Sequence, residues 1–214
     1  LYSSAASDVY KRQITGKEIL QKIKLEKTPV IFVSGHFSNF ELMAMEIEKS
    51  GVNLSAIYRQ LNNIFLNVLM ERIRTKYICR NQIKKGTSGV RELLRLYKKG
   101  YSIALMIDQR VSQGIKSKFF DEEAFTTTIP AQFIKKFNCK VVPISIERHN
   151  GVNFNIKVEK PMEFSKNSST EKITRELNVW LEKAILKNPG QWIWSHAVSY
   201  THLRAHETRE DRVC

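Results

Sequence analysis

The feature that most constrains the fold is an alternation of short apolar runs with segments of helical periodicity. The apolar runs are typical of strands buried between two layers, and they lie at residues 30–34, 54–58, 103–107 and 141–146. Helical patterns lie at residues 17–24, 40–49, 64–76, 90–99, 129–137 and 171–186. Residues 154–158 alternate like a half-exposed strand. This order predicts an α/β fold, a layered domain with a largely parallel central sheet flanked by helices.

Single residues predict three details of these elements. Pro143 cannot donate a ladder hydrogen bond, so it predicts an edge or a bulge in the fourth strand. Ser88 is expected to cap the helix at residues 90–99. Ser168 and Glu171 predict a capping box at the start of the last long helix.

The two ends of the chain differ in character from the rest. Residues 1–13 and 197–214 show neither helix, strand nor usual linker composition, and both are similar to translated read-through of sequencing adapters. We therefore expect these ends to be non-native and residues 14–196 to form the domain, as a fragment; a natural polar tail is the alternative for residues 197–214. No run in the sequence is long and apolar enough to predict a membrane span.

The charge balance predicts an anionic partner. The net charge is +14, with 35 Lys and Arg against 21 Asp and Glu, and almost none of the excess lies in the unusual ends. Nucleic acid, anionic lipid head groups and phosphorylated substrates all fit such a balance. Cys79 and Cys139 lack the spacing of metal ligands, which fits a reduced compartment.

The strongest chemical signal is the pair His36 and Glu41, which falls between the first strand and the next helix. An imidazole there can accept a proton from a hydroxyl, and a nearby carboxylate can orient the ring. The alternative is structural: Ser38-x-x-Glu41 also matches a capping box, and His36 is then an ordinary loop histidine.

Polar side chains follow three of the predicted strands. His36 follows the first, Tyr58 and Arg59 end the second, and Asp108 and Gln109 follow the third. Ligands of open parallel sheets bind beyond the carboxyl ends of the strands, so a shared site is expected. Strands also end in polar residues for no functional reason, which is the alternative.

Five motifs in this order resemble the lipid A biosynthesis acyltransferases of the lauroyl/myristoyl type, within the wider glycerolipid and lysophospholipid acyltransferases that share a His-x4-acid motif. They are GHFSNFE at 35–41, YRQLNN at 58–63, DQ at 108–109, FF at 119–120 and QWIWSH at 191–196. The resemblance covers residues 14–196, identified here as the acyltransferase domain, and implies that an N-terminal part of the family is missing. Asp121 departs from the pattern, because the family usually has glycine there.

The resemblance implies transfer of a fatty acyl chain from an acyl carrier protein thioester to a hydroxyl of a lipid A precursor, without a cofactor or a metal. His36 is then the general base and Glu41 its orienter. Arg59 stabilises the oxyanion or a phosphate. Further substrate contacts are implied for Tyr58, Asn39, Asn62, Asp108 and Gln109. The alternatives are a helix cap for Asn39, the positioning of Arg59 for Asp108, and a surface salt bridge for Arg59 itself. The expected location is the cytoplasmic face of the inner membrane, with peripheral attachment or an anchor absent here.

Other readings of the sequence remain open. A related acyltransferase with another phospholipid or glycolipid acceptor fits the same motifs, and a basic nucleic-acid-binding protein fits the charge, although no recognition motif supports it. A hydrolase is disfavoured, since no G-x-S-x-G elbow is present. Residues 64–80 combine apolar and basic residues, so this segment fits an anionic membrane surface or an ordinary helix packed on the sheet. Trp192 and Trp194 suit an acyl groove, the membrane interface or core packing.

Overall fold

The computed structural model describes residues 12–194. Its strands are β1 Arg12–Thr15, β2 Ile31–Ser34, β3 Leu54–Tyr58, β4 Asn81–Lys84, β5 Ser102–Met106, β6 Ile115–Phe119, β7 Glu122–Thr126, β8 Val141–His149 and β9 Asn153–Val158. Its helices are α1 Lys17–Glu26, α2 Glu41–Lys49, α3 Ile64–Tyr77, α4 Thr87–Lys98, α5 Ile129–Phe137 and α6 Thr170–Lys187.

These elements form two compact units. Within the described residues, the first unit contains 12–106 and 139–163, and the second contains 107–138 and 164–194. Within residues 12–194, no helix is both long enough and apolar enough to cross a bilayer. The proposed non-native ends lie outside the described residues, except that Arg12 and Gln13 belong to β1.

The first unit is built on a seven-stranded sheet in the order β1-β9-β8-β2-β5-β3-β4. Each described pairing in this sheet is parallel except that of β8 with β9, which is antiparallel. The predicted α/β class with a largely parallel central sheet is therefore confirmed. The strands β8, β2, β5, β3 and β4 run in one direction, so their carboxyl ends share one edge of the sheet.

Apolar strand residues explain why this sheet lies between layers. All of β2 is buried, and Ile31, Ile103 and Val141 are fully enclosed on three neighbouring strands. Helix α2 contacts β3 and β8, and α4 contacts β3, β4 and β5. Because βαβ connections are right-handed, the reversal of direction after β4 puts α4 on the face opposite to α2 and α3.

Helix ends differ from two of the sequence predictions. Helix α6 is capped by Ser169, whose side chain accepts a hydrogen bond from the backbone N–H of Lys172 at 3.1 Å, and not by Ser168. Helix α4 begins one turn earlier than predicted, with Gly86 at the N-cap and not Ser88. Ser169 has the extended backbone conformation of an N-cap, whereas Gly86 has a positive φ of 142°, which favours glycine.

Pro143 does not mark an edge of the sheet. Its strand, β8, has β2 on one side and β9 on the other. Pro143 is the last β8 residue in register with β2, and the register with β9 begins at Ile144. Its carbonyl accepts a hydrogen bond from the N–H of Glu159 at 2.9 Å. The missing N–H is tolerated because the proline lies where one neighbour replaces the other.

The second unit joins a two-stranded hairpin to α6. Strands β6 and β7, which the sequence patterns did not predict, pair antiparallel. Helix α6 packs on β6. Asn178 of α6 is buried and donates hydrogen bonds through Nδ2 to the Ser117 hydroxyl, the Lys118 carbonyl and the Thr126 hydroxyl at 3.0–3.2 Å. A buried amide of this kind fixes the helix on the hairpin, since leaving it unpaired is costly.

Candidate active site

His36 lies in the loop that follows β2, at the carboxyl edge of the parallel strands. Two contacts anchor this loop to the protein interior. The Ser34 hydroxyl lies 3.5 Å from the sulfur of Met43, and the Phe37 side chain is buried. The His36 ring is half-buried and meets the ring of Phe40 edge to face, with centroids 4.8 Å apart. This packing restricts the orientation of the imidazole ring at the carboxyl ends of the parallel strands.

Glu41 opens α2 but does not act in a capping box. The N-cap of α2 is Phe40, and no side chain caps the helix. Ser38 adopts a left-handed backbone conformation with φ 39°, whereas an N-cap residue is typically extended. The structural alternative for Glu41 is therefore not what the fold shows, and the carboxylate is used elsewhere.

The partner of Glu41 is Arg74 on α3. The guanidinium Nε donates to Glu41 Oε1 at 2.7 Å, and both side chains are partly buried. The Arg74 guanidinium carbon also lies 5.8 Å from the centroid of the Tyr58 ring. Arg74 thus connects the end of β3 to the start of α2. Sequence reasoning missed it, and its only signal was helical spacing with the polar residues Asn67 and Glu71.

Tyr58 is held by the same helix. Its hydroxyl donates a short hydrogen bond to Glu71 Oε1, and Asn67 Nδ2 donates to the same oxygen at 2.8 Å. Burial, followed by the hydrogen bond to Glu71, raises the pKa of Tyr58 to about 12. The hydrogen bonds from Tyr58 and Asn67 lower the pKa of Glu71 below its usual value. Tyr58 is therefore a neutral phenol at physiological pH, and its proton is donated within the protein.

The other predicted residues of the first unit lie at the same edge of the sheet. Arg59 and Asn62 are exposed just after β3. The order β2-β5-β3 separates this strand end from the His36 loop by one intervening strand, or about 10 Å between strand axes. Asn39 does not cap α2, because its Oδ1 accepts a hydrogen bond from Arg148 Nη2 at 2.8 Å.

Asp108 and Gln109 belong to the second unit. Asp108 is buried and accepts a hydrogen bond from the indole Nε1 of Trp192 at 2.8 Å. Trp192 also packs edge to face with Phe119, so its role is core packing, whereas Trp194 is exposed. Asp108 and Gln109 line a cavity of about 20 Å³ with residues that include Phe125 and Asn178. Such a volume holds about one water molecule.

No metal site accompanies these residues. Across residues 12–194, no cluster of three or more His, Cys, Asp or Glu side chains is arranged to hold a metal ion. The chemical groups gathered in the first unit are an imidazole, a carboxylate and a guanidinium. These groups suit proton transfer and the stabilisation of negative charge.

The architecture matches that of a solved glycerolipid acyltransferase. The 1-acyl-sn-glycerophosphate acyltransferase PlsC from Thermotoga maritima superposes with a TM-score of 0.53, covering 86% of this chain and 74% of that chain, at 18% sequence identity. The class defined by the fold is therefore the glycerolipid acyltransferase-like α/β domain.

Sequence comparison narrows this class to one family. The model of the bacterial lipid A biosynthesis acyltransferases matches residues 4–198, and the chain belongs to that family. The chain is 23% identical over 183 residues to lipid A biosynthesis acyltransferase 2 of Shigella flexneri, and 23% identical over 184 residues to the lipid A biosynthesis myristoyltransferase of Escherichia coli (strain K12). Each alignment covers 84% of this chain, which spans only 58% and 56% of the length of those relatives.

Proposed function

We propose that the protein transfers a fatty acyl chain from an acyl carrier protein thioester to a hydroxyl of a lipid A precursor. Family membership supports acyl transfer as the reaction class. The observation that carries the residue assignment is the position of Glu41: it opens α2 without capping it and is clamped by Arg74, next to the loop that presents His36.

The proposed chemistry begins with the acceptor alcohol. A hydroxyl is a weak nucleophile at its own pKa, so His36 removes its proton as attack on the thioester carbonyl begins. Glu41 orients the imidazole and stabilises the imidazolium. A carboxylate has two oxygens with about four acceptor sites, so the bond from Arg74 to Oε1 leaves capacity for an imidazole N–H. The thiol leaves with the proton that His36 carried.

The surrounding polar residues are proposed to bind substrate. Arg59 is exposed at the edge of the sheet, where its planar fork suits a phosphate or a developing oxyanion. Asn39 and Asn62 are proposed as contacts to acceptor or donor. Tyr58 is proposed as a contact through its ring, since its hydroxyl already binds Glu71. Asp108 and Gln109 remain proposals for substrate contact in the second unit.

The proposed setting is the cytoplasmic face of the inner membrane, where acyl carrier protein and lipid A precursors meet. The net charge of +14 would attract both an acidic carrier protein and a phosphorylated glycolipid. No nucleic acid partner is proposed.

Two substitutions in the full-length protein test the mechanism. We expect His36→Ala to lower turnover of acyl carrier protein thioester and lipid A precursor by roughly 10²–10⁴-fold, the usual cost of losing a general base. We expect Glu41→Gln to lower turnover strongly while the protein stays folded. The measurement is acyl transfer with defined donors and acceptors, with circular dichroism to confirm folding.

Matched controls separate catalysis from surface effects. His149→Ala removes an exposed histidine that pairs with Glu147, and Glu92→Gln removes a carboxylate from an exposed ion pair with Arg95 on α4. Both controls should keep parental turnover. Near-normal turnover by folded His36→Ala would refute the mechanism, and activity only with a different lipid acceptor would refute the lipid A assignment.

A further inference from the structure

Helix α3 reverses the usual arrangement of an amphipathic helix, with polar residues on its inner face and apolar residues on its outer face. Its polar residues face the first unit: Asn67 Oδ1 accepts from the N–H of Leu61 at 3.0 Å, Glu71 binds Tyr58, and Arg74 binds Glu41. These residues follow one another at three- and four-residue spacing, which is one face of a helix. Of the helix residues, the one that is buried is the polar Asn67.

The opposite face of α3 exposes apolar side chains. Phe65 is 89% exposed and Leu69 is 52% exposed, and Ile64 in the first turn, three residues before Asn67, is 76% exposed. Further exposed apolar side chains on α3 and the turn before it are Leu61, Leu66, Val68, Ile73 and Tyr77. The helix therefore does not pack its apolar stripe on the sheet. A cluster of this size on one element is typical of an interaction surface and not of ordinary scattered exposure.

Basic residues continue this face toward the carboxyl end of the helix. Arg72 and Lys76 are exposed, and the ammonium of Lys76 lies 5.0 Å from the centroid of the Tyr77 ring. Between residues 61 and 80 the single acidic residue is Glu71, which is engaged on the inner face. The outer face thus has an apolar amino-terminal half and a carboxyl-terminal half whose charged residues are basic. This combination complements an anionic lipid surface and not a neutral protein groove.

We propose that α3 is a membrane-docking helix, which inserts the Phe65–Leu69 face among the lipids of an anionic bilayer and sets Arg72 and Lys76 against their phosphates. This inference deepens the proposed function and rests on its lipid acceptor. Arg74 on the inner face of the same helix holds Glu41, so docking would place the start of α2, which follows the His36 loop, about one helix diameter, ~10 Å, from the bilayer surface.

Vesicle flotation tests the apolar half. The chain is mixed with phosphatidylcholine vesicles, with or without phosphatidylglycerol, and we expect binding to the anionic vesicles. Phe65→Asp and Leu69→Asp should each weaken that binding by about 10-fold or more, since each removes a large apolar side chain from the interface. The matched control is Leu186→Asp on α6, where Leu186 is 64% exposed. An equal loss in the control would overturn the proposal.

The cationic half has its own matched pair. The double substitution Arg72→Gln/Lys76→Gln should weaken binding to anionic vesicles about 10-fold or more. Each basic side chain near such a surface raises the binding affinity severalfold. The control, Lys183→Gln/Lys187→Gln, removes the same charge from exposed positions of α6. If both doubles lose binding equally, attraction is general and the docking helix is refuted.

A Phe65→Trp variant distinguishes the other possible occupants of this face. The parent has three tryptophans, so its fluorescence emission is subtracted from that of the variant. The difference spectrum should show a solvent-exposed Trp in buffer and a blue shift with anionic vesicles. If a monomer shows the blue shift in buffer alone, another segment of the same protein covers α3. If a dimer shows it, a second copy of the protein covers α3. Either result overturns the proposal. The assay needs no acyl donor, so it can fail independently of acyl transfer.

Discussion

The ion pair between Glu41 and Arg74 has more to do with geometry than with stability. Exposed salt bridges contribute about 0–1 kcal/mol, and this pair is only partly buried. It joins α2 to α3 beside the His36 loop, so it fixes the direction of a carboxylate that the helix itself does not use. A guanidinium suits this task because its rigid fork restricts the partner more than an ammonium does.

Arg59 and Arg74 are expected to respond differently to substitution. We expect Arg59→Lys to lower acyl transfer and Arg59→Ala to lower it more, because the fork and then the charge are lost. Stability should change by less than about 0.5 kcal/mol, since Arg59 is exposed. Arg74→Gln should lower both activity and stability, the latter by about 1 kcal/mol, because Glu41 loses its partner. Kinetics and urea unfolding measure the two effects.

Ordinary kinetics in a folded Arg59→Ala protein would remove Arg59 from the site. Arg74 would then be the cation to consider at the strand ends. Arg91→Gln on α4 serves as the control for the loss of an exposed arginine, and it should leave activity unchanged.

The sequence predicted the positions of His36 and Glu41 well, because strand and helix periodicity are local properties. It could not predict Arg74, whose partner lies 33 residues earlier on another helix. That contact depends on how α2 and α3 pack, which no local pattern encodes. The same reason explains Asn39, whose side chain binds Arg148 from a strand 109 residues later.

At the scale of elements, patterns with strong hydrophobic signals were predicted and weaker ones were missed. The apolar strand β3 was predicted with the bounds that the structure shows, as was helix α5. Strand β4 was missed because it is short and polar and buries only Ile83. The hairpin of β6 and β7 was missed because charged residues alternate with its buried ones and its turn lacks the usual Asn-Gly or Asp-Gly signal.

The turn of this hairpin provides a stability prediction. Phe120 and Asp121 both have positive φ, 50° and 63°, as in a type I′ turn. We expect Asp121→Gly to raise the free energy of unfolding by roughly 1 kcal/mol, because glycine adopts this conformation without strain. Glu122→Gly, in the adjoining strand, should lower it by roughly 0.5–1 kcal/mol. Urea unfolding measures both, and a destabilised Asp121→Gly protein would contradict the turn assignment.

At the scale of the whole molecule, the alternation of elements predicted the parallel sheet but not its edge strand, β1. Strand β1 includes Arg12 and Gln13, which composition had placed with the unusual end. Its pairing partner, β9, is the last strand of the first unit along the chain. Four residues without an apolar pattern carry no strand signal of their own, so only the tertiary pairing shows that they belong to the sheet.

Two truncations test where the folded domain starts. Residues 1–11 have no core-forming period, so deleting them should leave the unfolding midpoint in urea unchanged. Deleting residues 1–13 should lower stability by about 1–2 kcal/mol, because it removes half of the β1 ladder and the ion pair of Arg12 with Glu46. Deleting residues 197–214 should also leave the midpoint unchanged. Equal midpoints for the 1–11 and 1–13 deletions would show that β1 contributes nothing.

The pairing of β1 with β9 has a consequence for how the chain is made. Of the strands described, β1 is the first to emerge from the ribosome, and β9 is the last. The backbone of β1 therefore stays without its sheet partner until the last described strand of the sheet has been synthesised. Contacts so distant along the chain form late, because loop closure has to precede them. Weakening β1 would then speed the loss of the native state while leaving the rate of its formation almost unchanged.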